Sequence, residues 1–326
     1  MQNTSKNEFC LRGASKKHIF ACKSKVINSA MKSTLILLAL VIFATNCSEK
    51  VTPTTENEEQ AKPESSINQN MNKKEIALAF VQAVTSQNAD QVRALANEDY
   101  IQHNPFLPTG LEPFIGLFPV LEEHGTSARA FRVIEDGNFV ALHHLWTGAA
   151  PFGADTMVSF DILRFDESGK IAEHWDALMP NTPPNLSGRT LLDGQTEVTD
   201  IDRTELNRSV VKRLFNALAG GDQAQIAETI AASFKSDYMQ HNPTVADGVD
   251  AIFEAFPVEE WVIERNHKIL AEGNFVLSVS EGTAKGEPVV FYDLLRLEEG
   301  QIVEHWDVIQ NIPSEGLAND NTMFGF

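Results

Sequence analysis

Hydrophobic residues in this chain follow first a helical and then a strand-like spacing, and this order occurs twice. Asn72 can cap a helix with Glu75 three residues later, and the apolar residues that follow fall on one helical face. Thr204 begins a similar stripe in the second half. Shorter helices are predicted over residues 90–97, 111–123, 223–231 and 249–255, the second of them interrupted by prolines.

Each half then continues with runs that alternate apolar and polar residues, the period of two that is typical of strands. In the first half these runs cover residues 128–134, 139–145, 158–165 and 171–178, and their counterparts end at Ile309. Helices followed by an antiparallel meander predict an α+β fold, in which a curved sheet wraps around helices.

Three short motifs repeat in the same order in both halves. Tyr-x-Gln-His-Asn-Pro occurs at 100–105 and 238–243, Gly-Asn-Phe-Val at 137–140 and 273–276, and Gly-x-Ile-x-Glu-His-Trp-Asp at 169–176 and 300–307. A repeat as long as a whole domain indicates the tandem duplication of one globular unit. We therefore predict one domain at residues 71–187, a linker at 188–203 and a second domain at 204–326.

The N-terminal segment has the pattern of a targeting sequence. After Met31, one lysine precedes a short apolar run that ends at Cys47. Residues 31–46 resemble a bacterial lipoprotein signal, with Cys47 as the lipidated first residue of the mature chain, and an ordinary cleaved signal is the alternative. Residues 1–30 are basic and patternless, so we expect Met31 to be the true start, with a genuine leader as the other reading. Residues 47–70 lack aromatic residues and predict a flexible tether.

Composition and missing motifs argue against several classes of function. The formal net charge is −19, and loss of the basic leader would make the chain still more acidic, which argues against nucleic acid as a partner. The sequence has no glycine-rich phosphate loop and no Gly-x-Ser-x-Gly elbow, so we expect neither a nucleotide cofactor nor a serine hydrolase. A histidine and carboxylate triad could bind a metal, but no helical histidine spacing or cysteine pair supports one, and no metal is expected.

The last hairpin of each half holds the best candidate chemistry. In the first half, a turn at residues 166–169 predicts that Asp161 faces His174 across the strands and that Ser159 faces Asp176. Because side chains along a strand alternate between its two faces, Asp161, His174 and Asp176 are predicted to share one face of the sheet.

The second half repeats this arrangement with a turn one residue shorter. Asp293 is predicted to face His305, with Asp307 on the same face. Two Asp and one His on the concave face of an apolar sheet suit acid–base catalysis, because burial raises the pKa of a carboxyl group. Asp161 and Asp293 would orient the imidazoles, and the later Asp of each hairpin would move the proton. The alternative is that these pairs are structural hydrogen bonds.

The histidine and asparagine of each Tyr-x-Gln-His-Asn-Pro motif are further candidates for binding. His103 and Asn104 in the first half, and His241 and Asn242 in the second, precede a proline. Asn-Pro favours turns, so one interpretation is a simple turn. The other is that these residues line the mouth of a pocket.

The two predicted pockets differ in their remaining polar residues. Only one of the adjacent His143 and His144 can face inward, and we place His144 and Ser159 in the first pocket. The second half has Val279 and Ser280 at the positions of the two histidines. The copies are therefore not expected to bind identical ligands.

Together with Asp-x-x-Arg at 161–164 and 293–296, the repeated motifs are similar to those of the SnoaL-like branch of the nuclear transport factor 2-like superfamily. The resemblance covers residues 72–187 and 204–315 and implies two tandem cone-shaped α+β barrels. SnoaL itself is a polyketide cyclase that performs an intramolecular aldol condensation without metal or cofactor.

The resemblance also implies roles for individual residues. The acid–base aspartate of SnoaL falls on Asp176 and Asp307, and its pocket asparagine falls on Asn104 and Asn242. Its pocket histidine falls on Asp161 in the first copy and on Asp293 in the second. A histidine lies opposite each of them, His174 and His305 respectively. This exchange of sides keeps an Asp/His pair but puts a polyketide substrate in doubt.

Two functional hypotheses follow from these observations. One is a cofactor-free enzyme, an aldol cyclase or isomerase acting on a small carbonyl compound, anchored in the bacterial cell envelope. The other is a non-catalytic lipoprotein that binds a small hydrophobic ligand there, facing the periplasm or the outer surface. Because members of this superfamily commonly pair sheet to sheet, we also expect the two domains to form an intramolecular pseudo-dimer and the chain to be a monomer.

Overall fold

The computed structural model describes residues 71–255, 257 and 260–326, and every structural statement below concerns these residues. The predicted signal, Cys47 and the tether up to residue 70 lie outside them. In the described part of the chain, no helix has both the length and the apolar character needed to cross a membrane.

Each half begins with the predicted helices. Asn72 and Glu75 form a capping box at the start of the first helix, as predicted. The helices of the first half are α1 (Lys73–Thr85), α2 (Ala89–Leu95), α3 (Leu111–Ile115) and α4 (Phe118–Glu123). Those of the second half are α5 (Thr204–Gly220), α6 (Gln223–Ser233) and α7 (Val249–Ala255).

Five strands in each half form one sheet. The strands of the first half are β1 (Ala96–Gln102), β2 (Ser127–Asp136), β3 (Phe139–Thr147), β4 (Thr156–Phe165) and β5 (Ile171–Pro180). Those of the second half are β6 (Phe234–Gln240), β7 (Trp261–Glu272), β8 (Phe275–Ala284), β9 (Glu287–Glu298) and β10 (Gln301–Asn311). The strand orders are β1-β5-β4-β3-β2 and β6-β10-β9-β8-β7. The predicted α+β fold is confirmed in both copies.

One strand of each sheet is absent from the sequence prediction. The second predicted helix extended to Asn97, but the chain leaves the helix at Ala96 and enters β1, which pairs in parallel with β5. In the same way β6 pairs in parallel with β10. These strands alternate only weakly between apolar and polar residues, and their pairing partner lies far along the chain, so local pattern does not reveal them.

The register of the last hairpin differs from the prediction by two residues. Asp161 lies opposite Asp176, and His174 lies opposite Leu163. The turn contributes one residue of this difference, because Phe165 pairs with Ile171, and a β-bulge at Ala172 contributes the other. A shift of two residues leaves the faces unchanged, so the predicted set of side chains still points to one side of the sheet.

The second hairpin carries the same correction. Asp293 lies opposite Asp307, and a register shift separates the pairs made by Ile302 and Glu304. The turn contains Glu299 and Gly300, both with positive φ, which is the backbone of a tight two-residue hairpin loop.

The outer faces of the two sheets pack against each other. One buried apolar cluster contains residues of both domains, among them Phe160 and Trp175 of the first and Tyr292 and Trp306 of the second. The rings of Phe160 and Tyr292 stack with centroids 6.5 Å apart. The predicted sheet-to-sheet contact is therefore present within one chain.

Two segments cross between the domains and are called here the first arm (residues 181–195) and the second arm (residues 312–326). In the first arm, the Asn185 side chain donates to the backbone oxygens of Gln240, Asn242 and Val245 at 2.7, 3.2 and 2.8 Å. In the second arm, the Asn319 side chain donates to the backbone oxygens of Asn104 and Leu107 at 2.8 and 2.7 Å. Each arm thus follows one domain and holds the loop after the first strand of the other.

Candidate active site

Each domain has a pocket between the concave face of its sheet and its helices. The pocket of the first domain has a volume of about 60 Å³ and that of the second about 150 Å³. Both linings are mainly apolar and include the predicted Asp, His and Asp of the last hairpin. These residues are Asp161, His174 and Asp176 in the first pocket and Asp293, His305 and Asp307 in the second.

The histidine of the first site is held between two acceptors. His174 Nε2 lies 3.0 Å from Asp161 Oδ1, and His174 Nδ1 lies 3.1 Å from Gln102 Oε1. Gln102 Oε1 also accepts from the backbone N–H of Asn104, which fixes it as an oxygen. Both imidazole nitrogens therefore act as donors, as in a protonated histidine. Burial opposes that charge, but the hydrogen bond to Asp161 and the nearby Asp176 raise the pKa of His174.

The two carboxyl groups of the first site have opposite properties. Burial alone would raise the pKa of Asp161, yet hydrogen bonds from His144 and His174 bring it below its usual range. Asp176 accepts one bond, from Asn104 Nδ2 at 3.0 Å to its Oδ2, while its Oδ1 is buried without a partner. Burial raises the pKa of Asp176 to about 6, with His174 partly opposing the shift. The site thus pairs a fixed anion with a carboxyl that titrates near neutral pH.

The second site repeats these contacts. His305 lies 3.0 Å from Asp293 Oδ1 and 3.1 Å from Gln240 Oε1. Asn242 Nδ2 donates to Asp307 Oδ2 at 2.7 Å, and Asp307 Oδ1 is buried without a partner. Burial raises the pKa of Asp307 to about 6, and the pKa of His305 is raised by its carboxylate neighbours against the effect of burial.

A tyrosine and a glutamine that the sequence analysis did not place in the site complete it. Tyr100 lines the first pocket, and its hydroxyl accepts a bond from Gln102 Nε2 at 3.3 Å. In the second domain Gln240 Nε2 donates to the Tyr238 hydroxyl at 2.8 Å. Because the amide donates, each hydroxyl keeps its own hydrogen for an acceptor in the pocket. The repeated Tyr-x-Gln-x-Asn spacing is the pattern that could have identified them, since alternate residues of β1 and β6 face inward.

In the first site, Asp161 has polar contacts beyond its histidine that the second site lacks. His144 Nδ1 lies 2.9 Å from Asp161 Oδ2, and Ser159 donates to the same oxygen. Trp146 Nε1 in turn donates to Ser159 Oγ at 2.9 Å. His144 and Ser159 therefore lie in the interior of the first domain, as predicted, but they contact Asp161 rather than open space. His143 points to the other face and stacks on Phe160.

Of the two interpretations of His103 and His241, a turn or a pocket mouth, the pocket mouth is wrong. His103 stacks on Trp175 with centroids 4.4 Å apart and contacts Glu173 Oε2 at 3.1 Å, on the outer side of the sheet. His241 stacks on Trp306 and contacts Glu304 Oε1 at 2.9 Å. Each histidine directly follows the last residue of the parallel edge strand, β1 or β6, and points away from the pocket, whereas Asn104 and Asn242 point towards it.

The Asp, His and Asp of each site could share a cation only after rearrangement. Their ligand atoms lie within 4.8 Å of one another in each domain. However, both nitrogens of His174 and of His305 are hydrogen-bonded to carboxylate or amide oxygens. The arrangement suits the transfer of a proton, since an ionised pair lies beside a carboxyl with one unpartnered oxygen.

Comparisons with known proteins agree with the duplicated architecture. The family profile described as SnoaL-like domain matches residues 77–174 and 211–305. A comparison with curated protein sequences finds no match.

Among solved structures, several proteins are similar to about a third of this chain. It is 17% identical to IdmH from Streptomyces antibioticus, with coverage of 33% of this chain and 92% of that one and a TM-score of 0.29. An NTF2-like protein of unknown function from Cytophaga hutchinsonii is 18% identical, with coverage of 35% of this chain and 95% of that one and a TM-score of 0.29. A SnoaL-like polyketide cyclase from Agrobacterium tumefaciens is 16% identical, with coverage of 33% of this chain and 92% of that one and a TM-score of 0.29.

Proposed function

Because the chain belongs to the SnoaL-like family, we propose that its pockets carry out cofactor-free acid–base chemistry on a small carbonyl compound. One observation supports this most strongly. In both domains a buried aspartate with a pKa of about 6 leaves one oxygen without a partner inside an apolar pocket. A carboxyl in that state can accept a proton near neutral pH and return it.

The proposed first step is the removal of a proton from the carbon next to the carbonyl. Oδ1 of Asp176, or of Asp307, takes the proton as the carbon–hydrogen bond breaks. The electron pair moves to the carbonyl oxygen and forms an enolate, while the aspartate becomes a neutral acid. Burial disfavours the carboxylate relative to the acid, so the pocket lowers the cost of this transfer.

The charge that forms on the enolate oxygen needs a donor. The Tyr100 and Tyr238 hydroxyls line the pockets and retain their hydrogens, so they are the best donors to this oxygen. The positive charge on His174 or His305 supports the same anion from a short distance. Return of the proton to another carbon gives an isomerase, and attack of the enolate carbon on a second carbonyl of the same molecule gives an aldol cyclase.

Exchange of α-protons with solvent tests the proposal without knowledge of the natural substrate. Acetone in D₂O should exchange its protons faster with the full chain than with buffer, as followed by proton NMR. The double substitution Asp176→Asn and Asp307→Asn should lower the enzymatic rate by about 100-fold or more, the usual contribution of a general base. The control Glu135→Gln removes a surface carboxylate that pairs with Lys73 and should keep the full rate. An unchanged rate in the double variant would contradict the proposal.

The alternative is a binding protein that performs no reaction. The small, largely apolar pockets and the Asp–His pairs are compatible with simple retention of a hydrophobic ligand. Native mass spectrometry of protein purified from its own host distinguishes the two functions. An unmodified ligand that co-purifies, together with no catalysed exchange of acetone, would favour binding.

We also propose attachment to the bacterial cell envelope, which rests on the apolar run before Cys47 and on the acidic, aromatic-free stretch that follows. Expressed in a bacterium, the wild-type chain should fractionate with membranes and incorporate a labelled fatty acid. Cys47→Ser should lose the label, since the thiol is the site of lipidation. Labelling of the Cys47→Ser variant would contradict this assignment.

A further inference from the structure

The inner faces of the two sheets differ at two matching positions on β3 and β8. His144 and Trp146 of β3 correspond to Ser280 and Gly282 of β8. The strand pairing shows this, because His144 pairs with Ser159 and Ser280 pairs with Phe291. Ser159 and Phe291 each lie two residues before the site aspartate of their strand. The second copy thus has a hydroxymethyl group and a hydrogen where the first has two large side chains.

In the first domain Trp146 lines the pocket and His144 lies against the site aspartate Asp161. Trp146 is only 9% exposed and donates to Ser159, while His144 is fully buried against Asp161. The network Trp146–Ser159–Asp161–His144 satisfies its members internally, apart from His144 Nε2. The pocket beside this network has a volume of about 60 Å³, and Trp146 and Asp161 are part of its lining.

In the second domain neither Ser280 nor Gly282 lines the pocket, whereas Phe291, at the position of Ser159, does. The Ser280 hydroxyl accepts from Asn266 Nδ2 at 3.0 Å and does not contact the site aspartate Asp293. A Cβ at Gly282 would lie 1.9 Å from the Val262 backbone oxygen, so the strand geometry excludes a larger residue there. The pocket reaches about 150 Å³, and Phe253 at its edge is 44% exposed, giving it an apolar mouth.

These differences indicate what each pocket can hold. An apolar protein cavity of about 150 Å³ accommodates benzene. Resting on the proposed function, we infer that the second domain binds a carbonyl compound whose apolar body is the size of a six-membered ring. Its carbonyl would lie near Tyr238, with its α-carbon towards Asp307. The pocket of the first domain excludes that ring.

Fluorine NMR with 4-fluoroacetophenone as the probe tests this inference in the full chain. The duplication supplies a matched pair of variants, because Leu178 and Ile309 are half-buried lining residues at corresponding positions. We expect one saturable site per chain. Ile309→Trp should weaken binding about tenfold or more, whereas Leu178→Trp should leave it unchanged.

A gain of binding provides the complementary test. The double substitution His144→Ser and Trp146→Gly removes from the first domain two large side chains that the second lacks, and a second probe site per chain should appear. Two equal sites in the wild type, or loss of binding with Leu178→Trp instead of Ile309→Trp, would overturn the inference. Because binding is measured without turnover, one site that catalyses no α-proton exchange would leave this inference standing and count against the proposed function alone.

Discussion

At the scale of single residues, the site depends on the energetic cost of two buried carboxyl groups. Asp176 and Asp307 are 6% and 2% exposed, and burial raises both pKa values to about 6. An aspartate in an unfolded chain titrates near pH 4. Between about pH 4 and 6 the unfolded chain therefore loses protons that the folded chain retains. The contribution of these two groups to the free energy of unfolding decreases as the pH rises through this range.

This linkage predicts that removing the carboxyls stabilises the protein at neutral pH. With Asp176→Asn and Asp307→Asn, the free energy of unfolding should exceed that of the wild type above pH 6, by on the order of 2 to 3 kcal/mol per site. The gap should close towards pH 4, where the wild-type carboxyls are protonated. Urea unfolding at a series of pH values measures it. A difference that does not depend on pH would show that the carboxyls are not shifted.

At the scale of elements, the two arms hold the loops that carry the site asparagines. Asn319 donates two hydrogen bonds to the loop that bears Asn104, and Asn185 donates three to the loop that bears Asn242. Each asparagine of the arms is buried and belongs to the segment that follows the other domain. The arms therefore help to position the donors to Asp176 and Asp307.

Asn319→Ala should leave the Leu107 carbonyl oxygen without this donor and the Asn104 carbonyl oxygen with only the Leu107 N–H, at a cost of roughly 1 to 3 kcal/mol. Amide hydrogen exchange of residues 103–110 should become faster, while that of residues 241–248 stays as in the wild type. Asn185→Ala should give the reverse pattern. Mass spectrometry of peptic peptides measures both segments in one experiment. Equal effects of either variant on both loops would contradict the crossed arrangement.

The elements also explain how far the sequence could predict this structure. Local spacing of apolar residues identifies the helices and the antiparallel strands. Because side chains alternate between the two faces of a strand, Asp161, His174 and Asp176 are predicted on one face even with the wrong register. The bulge at Ala172 has no distinctive residue to mark it. The parallel strand β1 depends on a partner about 70 residues away, which local pattern does not report. Missing β1 led to the wrong side for His103 and hid the roles of Tyr100 and Gln102.

At the scale of the whole molecule, the two domains share one apolar core, and each contains a similar but not identical site. The apolar cluster between the sheets contains residues of both domains, and ion pairs at its edge join Lys74 to Glu272 and Arg208 to Asp136 at 2.6 Å each. The contact within one chain is consistent with the predicted monomer, which stays a prediction. The inner faces of the two sheets nevertheless differ, as His144 and Ser280 illustrate.

The central claim is that a buried aspartate removes an α-proton, and the pH dependence of acetone exchange in D₂O tests it most directly. The rate should increase as the pH, corrected for D₂O, rises through about 6, where Asp176 and Asp307 become carboxylates, and should then level off. The Asp176→Asn and Asp307→Asn double variant should show only the buffer rate at every pH. Exchange that persists in the double variant, or a wild-type rate with no inflection between pH 5 and 7, would contradict the account.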